Sequence, residues 1–171
     1  MKHYPLLFIG LLLVSTTTPA LEKTGSTQTD EAHQRVQQVA PYALDQTLQT
    51  FSKTVHGGVQ HVVAKSANNT RQIKLIQTYL LKITNEFRKG DFSVNEQVHG
   101  ADMPGLAQLK RAETDDIKFE YKALPDGAQI HYSTEYPQYV QALHEWFDAQ
   151  MNDHGNDVIP EHIQHHSTPA E

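Results

Sequence analysis

The chain has 171 residues, and its 14 Lys and Arg against 20 Asp and Glu give it a formal net charge of −6. A hydrophobic content of 38% excludes both a wholly disordered chain and a multi-pass membrane protein. Because no Lys/Arg cluster is present, the sequence predicts no nucleic-acid partner. The absence of Cys excludes disulfides, thiolate chemistry and Cys-ligated metals. Eleven histidines are the one compositional excess, so a metal site would use His, Met, Asp or Glu.

The first segment, residues 1–20, has the pattern of a signal peptide. A short basic start at Lys2 is followed by an apolar run over residues 6–14 and by small residues up to Ala20. The run is too short for the ~20 apolar residues that cross a bilayer. We therefore expect cleavage after Ala20, a periplasmic or secreted location, and no integral membrane segment in the mature protein.

The remaining chain divides into three predicted parts. Residues 21–42 are rich in Thr, Gln and Glu and predict a flexible polar leader, with a marginal polar helix as the alternative. Residues 43–153 have the length and apolar content of a single domain. Residues 154–171 combine histidines with Asn, Asp and Pro, a composition that predicts a disordered His-rich tail.

The first half of the domain, residues 50–90, predicts a β-β-α unit. Residues 50–55 and 59–66 read as strands around a turn at His56-Gly57-Gly58. Asn68, Asn69 and Thr70 offer caps for a helix that ends at Gly90. The apolar residues of that helix recur every three or four positions: Ile73, Ile76, Leu80, Ile83 and Phe87.

The second half, residues 116–153, repeats this order. Alternating residues 117–123 and 128–133 flank a turn with Pro125 and Gly127, and a helix begins near Pro137. Its predicted buried stripe is Val140, Leu143, Phe147 and Met151. Placing Gly58 opposite Gly127 aligns the two units. The sequence thus predicts an α+β domain with a four-stranded antiparallel sheet and both helices on one face, and a short helix over residues 104–111 in the connection.

The connecting segment His99 to Gly105 is the first candidate site. It places the imidazole of His99, the carboxylate of Asp102 and the thioether of Met103 within five residues. Imidazole and thioether suit copper, whereas imidazole and carboxylate suit zinc. The alternative is structural, with Met103 packed under the loop, Asp102 capping the next helix and His99 a polar turn residue.

Four other histidines of the domain are candidates to complete or replace that site. His56 and His61 flank the first turn, and the repeat pairs His61 with Ile130, which predicts partial burial. His144 borders the apolar stripe of the last helix. His131 alternates with core residues and so should face the side of the sheet that the helices leave open. The alternative for each is an inert, hydrogen-bonded histidine.

The predicted tail carries a further set of histidines. A flexible His-rich segment binds copper, nickel or zinc with little geometric selectivity. The tail ligands would be His162, His165 and His166.

Several short motifs resemble a known family over residues 51–155. These motifs are His56-Gly57-Gly58-Val59-Gln60, His99-Gly100-Ala101-Asp102-Met103-Pro104-Gly105, Gly127-Ala128-Gln129-Ile130, Trp146-Phe147-Asp148-Ala149-Gln150 and Asp153-His154-Gly155. The stretch resembles a family of small secreted bacterial proteins that circulate under the label aspartate carbamoyltransferase. The mature part of the chain lacks the Ser-Thr-Arg-Thr phosphate motif of true carbamoyltransferases, so the resemblance implies an exported small protein and no catalytic residue.

Three functional hypotheses follow. The first is an exported carrier or buffer for copper or zinc, with His99 and Met103 joined by His56 or His61. The second is a non-catalytic envelope interaction or stress-response module with incidental histidines, whose open sheet face binds a protein or a small ligand. The third is a metal-assisted hydrolase with Asp102 as base. No hydrolase elbow, P-loop, zinc-protease or dinucleotide motif is present, so no organic cofactor and no catalytic residue are inferred.

Overall fold

The computed structural model describes residues 34–154. The expected signal peptide and nearly all of the expected His-rich tail lie outside these residues. The elements in chain order are α1 (34–39), a 3-10 turn (Leu44–Gln46), β1 (Thr47–Thr54), β2 (Gly57–Ala64), α2 (Thr70–Phe87), α3 (Ser93–His99), α4 (Leu106–Leu109), β3 (Lys118–Leu124), β4 (Gly127–Ser133) and α5 (Pro137–His154).

The four strands form one antiparallel sheet in the order β1-β2-β4-β3. Helix α2 contacts β2, β3 and β4, and α5 contacts β1 and β2. Together the two long helices therefore contact all four strands. The predicted α+β class with a four-stranded antiparallel sheet is therefore confirmed. Between residues 34 and 154, no helix is long and apolar enough to cross a membrane.

Aromatic rings fill the centre of the layer between helices and sheet. Trp146 of α5 has no solvent exposure. Its ring centroid lies 5.7 Å from those of Phe87 in α2 and Tyr132 in β4, both in edge-on arrangements. The ring of Phe147 lies 5.2 Å from that of Tyr132 and 5.8 Å from that of Trp146. These edge-on ring pairs add to the free energy gained by burying large apolar surfaces and fix α5 against α2 and the sheet.

Helix α2 matches its prediction closely. The side chain of Asn69 accepts a hydrogen bond from the backbone N–H of Gln72, which makes Asn69 the N-cap. The helix ends at Phe87, and Gly90 follows with φ +71°. All five predicted apolar positions are buried: Ile73, Ile76, Leu80, Ile83 and Phe87.

The first hairpin turn lies one or two residues earlier than predicted. The turn residues are Val55 and His56, while Gly57 and Gly58 begin β2. A Cβ on Gly57 would lie 2.3 Å from the carbonyl oxygen of Tyr132, and one on Gly58 would lie 2.3 Å from the ring of Phe147. The two glycines are thus required by the close approach of β4 and α5 rather than by the turn.

The predicted alignment of the two units is wrong by one residue. Ala128 and Ile130 are buried under the helices, and the register pairs His61 with Gln129. His61 and Ile130 therefore lie on opposite faces of the sheet, because a shift of one residue reverses the face of every side chain. The alignment that preserves the faces places Gly57, not Gly58, opposite Gly127.

Three other predictions need correction. The folded domain begins before residue 43, because residues 34–39 of the expected leader form a helix and Val36, Ala40 and Tyr42 are buried in the core. The short helix predicted for residues 104–111 forms as α4 but is shorter, and a second short helix, α3, precedes it without having been predicted. In α5, Leu143 and Phe147 are buried as predicted, whereas Val140 and Met151 are only half-buried. The buried face of α5 instead includes Ala142, Trp146 and Gln150.

Candidate functional site

The fold distributes the predicted histidine ligands over separate places. His99 ends α3 on the helix side of the sheet, His56 and His144 lie at the β1–β2 turn, and His61 lies on the open sheet face. Within residues 34–154, no group of three His, Cys, Asp or Glu side chains is arranged to hold a metal ion. The tail ligands His162, His165 and His166 lie outside the described residues. The metal-carrier and metal-hydrolase hypotheses stay predictions.

His99 is a buried histidine held by a carboxylate. Its side chain is 3% exposed, and its Nδ1 lies 2.7 Å from Oδ2 of Asp153 in α5, to which it donates. Burial lowers the pKa of His99, the hydrogen bond and charge of Asp153 oppose that lowering, and the charge of Arg35 adds to it. A lowered pKa means that the imidazole is neutral at neutral pH.

The other two candidate ligands of this segment, Asp102 and Met103, lie in different environments. Met103 is 5% exposed and belongs to the hydrophobic core. Asp102 is exposed, and α4 begins at Leu106 with Gly105 as its N-cap and no side-chain cap. The packing alternative therefore describes Met103, whereas the expected capping by Asp102 is absent from α4.

His144 fastens α5 to the first hairpin. Its Nε2–H donates to the carbonyl oxygens of Thr54 and Gly57, each at 3.0 Å, as its position beside the apolar stripe suggested. His144 and His56 line a surface groove of ≈ 510 Å³. With Nε2 occupied by two carbonyls, His144 has a structural role in closing the hairpin.

The open sheet face carries His61 and His131. Nε2 of His61 lies 2.9 Å from Oε1 of Gln129, and Nδ1 of His131 lies 3.3 Å from Oε2 of Glu120. His131 thus faces the side predicted for it. Nδ1 of His61 and Oγ1 of the paired Thr50 are buried with no hydrogen-bond partner among the described side chains. A protein partner for this face stays a prediction.

A pocket on the helix side of the sheet combines the features of a ligand site. We call it the glutamine pocket, and its volume is ≈ 60 Å³. It lies where α1, α3 and the end of α5 meet the sheet. Its walls are Val36, Val39, Tyr42, Gln49, Gln60, Tyr79, Ile83, Phe87, Val94, Asn95, Val98, His99, Trp146 and Gln150. Mostly apolar walls with a few convergent polar groups are typical of small-molecule sites.

Three glutamine amides converge on this pocket from two strands and one helix. Gln150 of α5 is 4% exposed. Among residues 34–154, neither its amide nor that of Gln49 has a hydrogen-bond partner, and Gln60 uses only Oε1, which accepts from the hydroxyl of Tyr132 at 2.7 Å. Trp146 also keeps a buried Nε1–H without a hydrogen-bond partner within the described chain. A buried N–H normally finds a partner inside a protein, so the unpartnered Nε1–H of Trp146 is the feature that marks this pocket.

The pocket walls are electrically neutral. Among the described residues that line it there is no Asp, Glu, Lys or Arg. Burial lowers the pKa of His99 and raises the pKa of Tyr79 to about 12, so both side chains are uncharged at neutral pH. The pocket can therefore donate and accept hydrogen bonds but offers no charge from its walls.

Sequence reasoning found His99 but missed the glutamines. Gln60 stands between Gly58 and Val62 in the alternation of β2, at a position that the pattern assigns to the core. Gln150 follows Leu143 by seven residues and Trp146 by four, which is the core-facing spacing of a helix. A glutamine at a core-facing position is therefore the sequence signal for this pocket, and it is not a metal-ligand pattern.

No protein-family model, curated protein or solved structure matches the chain. The resemblance to small secreted bacterial proteins stays a prediction. The candidate site therefore rests on its own geometry.

Proposed function

We propose that this protein binds a small organic molecule in the glutamine pocket. The observation that carries the proposal is Gln150, a side chain 4% exposed whose amide lines the pocket with no partner in the described chain. This proposal takes up the second of the three hypotheses from the sequence, the non-catalytic interaction module, but with the ligand on the helix side of the sheet rather than on its open face.

A comparison with Gln72 supports a ligand-binding role for Gln150. Gln72 is equally buried, at 5% exposure, but it is fully used in the fold. Its Nε2 donates to Ala43 O at 2.7 Å and Thr47 Oγ1 at 2.8 Å, and its Oε1 accepts from Ala43 N at 3.2 Å. The chain therefore satisfies a buried amide where the amide is structural. Gln150 has no such bonds within the described chain, so its amide can bond to a ligand that enters the pocket.

The size of the pocket sets the scale of the ligand and of its affinity. A volume of ≈ 60 Å³ admits roughly four to six non-hydrogen atoms, since one water needs about 10–15 Å³ of such space. A ligand that small gains at most about 1.5 kcal/mol per atom. For four to six atoms this ceiling is about 6–9 kcal/mol, which corresponds to dissociation constants from tens of micromolar to below one micromolar. Any ligand that falls short of the ceiling binds more weakly, so the screen must use concentrations up to the millimolar range.

The test is a screen of small organic molecules against the full chain. Trp146 is the only tryptophan and lines the pocket, so its fluorescence reports occupancy directly. Compounds that bind should lose at least tenfold in affinity with Gln150→Leu. They should keep their affinity with the matched control Gln138→Leu, an exposed position on the same helix. A screen without binders, or binders indifferent to Gln150→Leu, would overturn the proposal.

A further inference from the structure

We infer that the glutamine pocket selects uncharged molecules that carry a carbonyl oxygen, with the size of a short primary amide. This inference rests on the proposed function and deepens it by naming the ligand class. Three independent features carry it: the charge of the walls, the fixed direction of one amide, and the volume.

The neutral walls argue against an ionic ligand. A carboxylate or ammonium group entering the pocket would leave water, and none of the described side chains that line it carries an opposite charge. Two charged groups lie next to the wall residue His99, and both have bonds within the fold. Asp153 is bonded to His99 at 2.7 Å, and Nε of Arg35, whose charge acts on His99, donates to the carbonyl oxygen of Val98 at 2.6 Å. Burying an ion without a partner is far more costly than burying a neutral polar group, so the pocket discriminates by charge.

The amide of Gln60 supplies a donor of fixed direction. Because the hydroxyl of Tyr132 donates to Oε1 of Gln60, the Nε2 end of that amide is the part left for a ligand. An N–H donor requires an acceptor, and a carbonyl oxygen is the acceptor that a neutral organic molecule commonly offers. The amides of Gln49 and Gln150 line the same pocket and can each donate and accept. A primary amide, with one carbonyl and one NH₂ group, matches this set of partners.

The volume limits the size of such a molecule. With ≈ 60 Å³, the pocket holds an amide with a short alkyl group against the walls formed by Val36, Ile83 and Val98. The combination of a small apolar part and one amide group therefore fits without movement of the helices.

The decisive experiment compares acetamide, acetate and acetamidinium. The three probes have the same number of non-hydrogen atoms and nearly the same shape, but carry no charge, one negative charge and one positive charge. Each is titrated into the full chain at neutral pH and constant ionic strength, with the side-chain NH₂ resonances of uniformly ¹⁵N-labelled protein as the readout. The inference predicts that acetamide shifts the signals of Gln150 and Gln60, with a dissociation constant at least tenfold lower than that of either ion.

A charge variant provides the matched control. With Gln150→Glu, a carboxylate enters the pocket wall. The affinity for acetamide should then fall, and acetamidinium should become the probe that binds most tightly. Gln138→Glu places the same charge on the exposed side of α5 and should leave the order of the three probes unchanged.

The outcomes separate this inference from the proposed function. Binding of acetate or acetamidinium as tight as that of acetamide overturns the inferred ligand class, although the pocket remains a ligand site. The same holds if no probe binds while other small molecules from the fluorescence screen do. If no compound of any class binds at the pocket, the proposed function fails and the inference fails with it.

Discussion

The hydroxyl oxygen of Tyr132 and Oε1 of Gln60 lie 2.7 Å apart between the two central strands of the sheet. Tyr132 has no solvent exposure, and its ring packs edge-on against those of Trp146 and Phe147. The ring thereby fixes the hydroxyl, and the hydroxyl fixes the Gln60 amide with Nε2 as its remaining donor. This hydrogen bond therefore links the orientation of the Gln60 amide to the aromatic core, whose Trp146 also lines the glutamine pocket.

Tyr132→Phe tests that connection. The variant keeps the ring and removes only the hydroxyl, so the free energy of unfolding should fall by about 1 kcal/mol, the usual value of one hydrogen bond. Gln60 can then rotate, and the affinity for acetamide should fall severalfold. Urea unfolding and an amide titration measure the two effects. An unchanged affinity together with the loss of stability would show that Gln60 does not contact the ligand.

Gln150→Leu and Gln72→Leu form a matched pair with opposite expected effects on stability. In the first, an unpartnered amide is replaced by an apolar side chain, and the free energy of unfolding should stay the same or rise by about 1 kcal/mol. In the second, the partners Ala43 and Thr47 lose their bonds, and we expect a loss of about 2–4 kcal/mol. Equal destabilisation by the two substitutions would contradict the assignment of Gln150 to ligand binding.

His99 should make the protein sensitive to acid. Its pKa is lowered from 6.5 mainly by burial, so below that pH the unfolded chain binds a proton that the folded chain resists. The contribution of neutral His99 to the free energy of unfolding is therefore complete above about pH 6.5. It should decrease as the pH drops from there toward the lowered pKa. His99→Gln should remove this part of the pH dependence, as measured by urea unfolding at several pH values.

Asp153→Asn is the complementary variant for the same measurement. Asp153 opposes the lowering of the His99 pKa, so its removal should lower that pKa further and extend the loss of stability to lower pH. Parallel pH profiles for the wild type, His99→Gln and Asp153→Asn would rule out a role for this pair in acid sensitivity.

Gly58→Ala should be strongly destabilising for steric reasons. A Cβ there would lie 2.3 Å from Cε2 of Phe147 and 2.6 Å from the carbonyl oxygen of Ser52. We expect a loss of about 3 kcal/mol from forced movement of α5. The control is Gly90→Ala, where φ is +71° but no atom lies within 4 Å of the added Cβ. Its cost should be about 1 kcal/mol, from the backbone conformation alone. Thermal unfolding of both variants gives the comparison, and similar losses would refute the close-approach account.

The fold was predictable where local pattern and tertiary packing agree. In α2, the cap at Asn69 and the spacing from Ile73 to Phe87 both point to the helix that forms. The second hairpin is likewise defined by its alternation and by Pro125. The first hairpin was misplaced because its glycines are typical of a turn, while their actual role depends on Phe147, some ninety positions away in sequence. Local pattern carries no information on such a long-range contact.

The candidate site was less predictable than the fold. His99 was singled out for metal binding with Met103, yet its bonded partner is Asp153, whose separation of 54 residues no local motif reveals. The residue type of the glutamines points to no particular chemistry, because an amide carries neither a charge nor a nucleophile. Gln72 and Gln150 are also indistinguishable by burial, and only their hydrogen bonds separate the structural amide from the candidate ligand group.

The most direct test of the account is the side-chain amide spectrum of the ¹⁵N-labelled full chain, recorded with and without a binder from the small-molecule screen. If the glutamine pocket holds the ligand, the NH₂ signals of Gln49, Gln60 and Gln150 should move together, while those of Gln72, which is bonded within the fold, and exposed Gln138 stay in place. Movement of Gln72 or Gln138 without movement of Gln150 would contradict the account and place the ligand elsewhere on the protein.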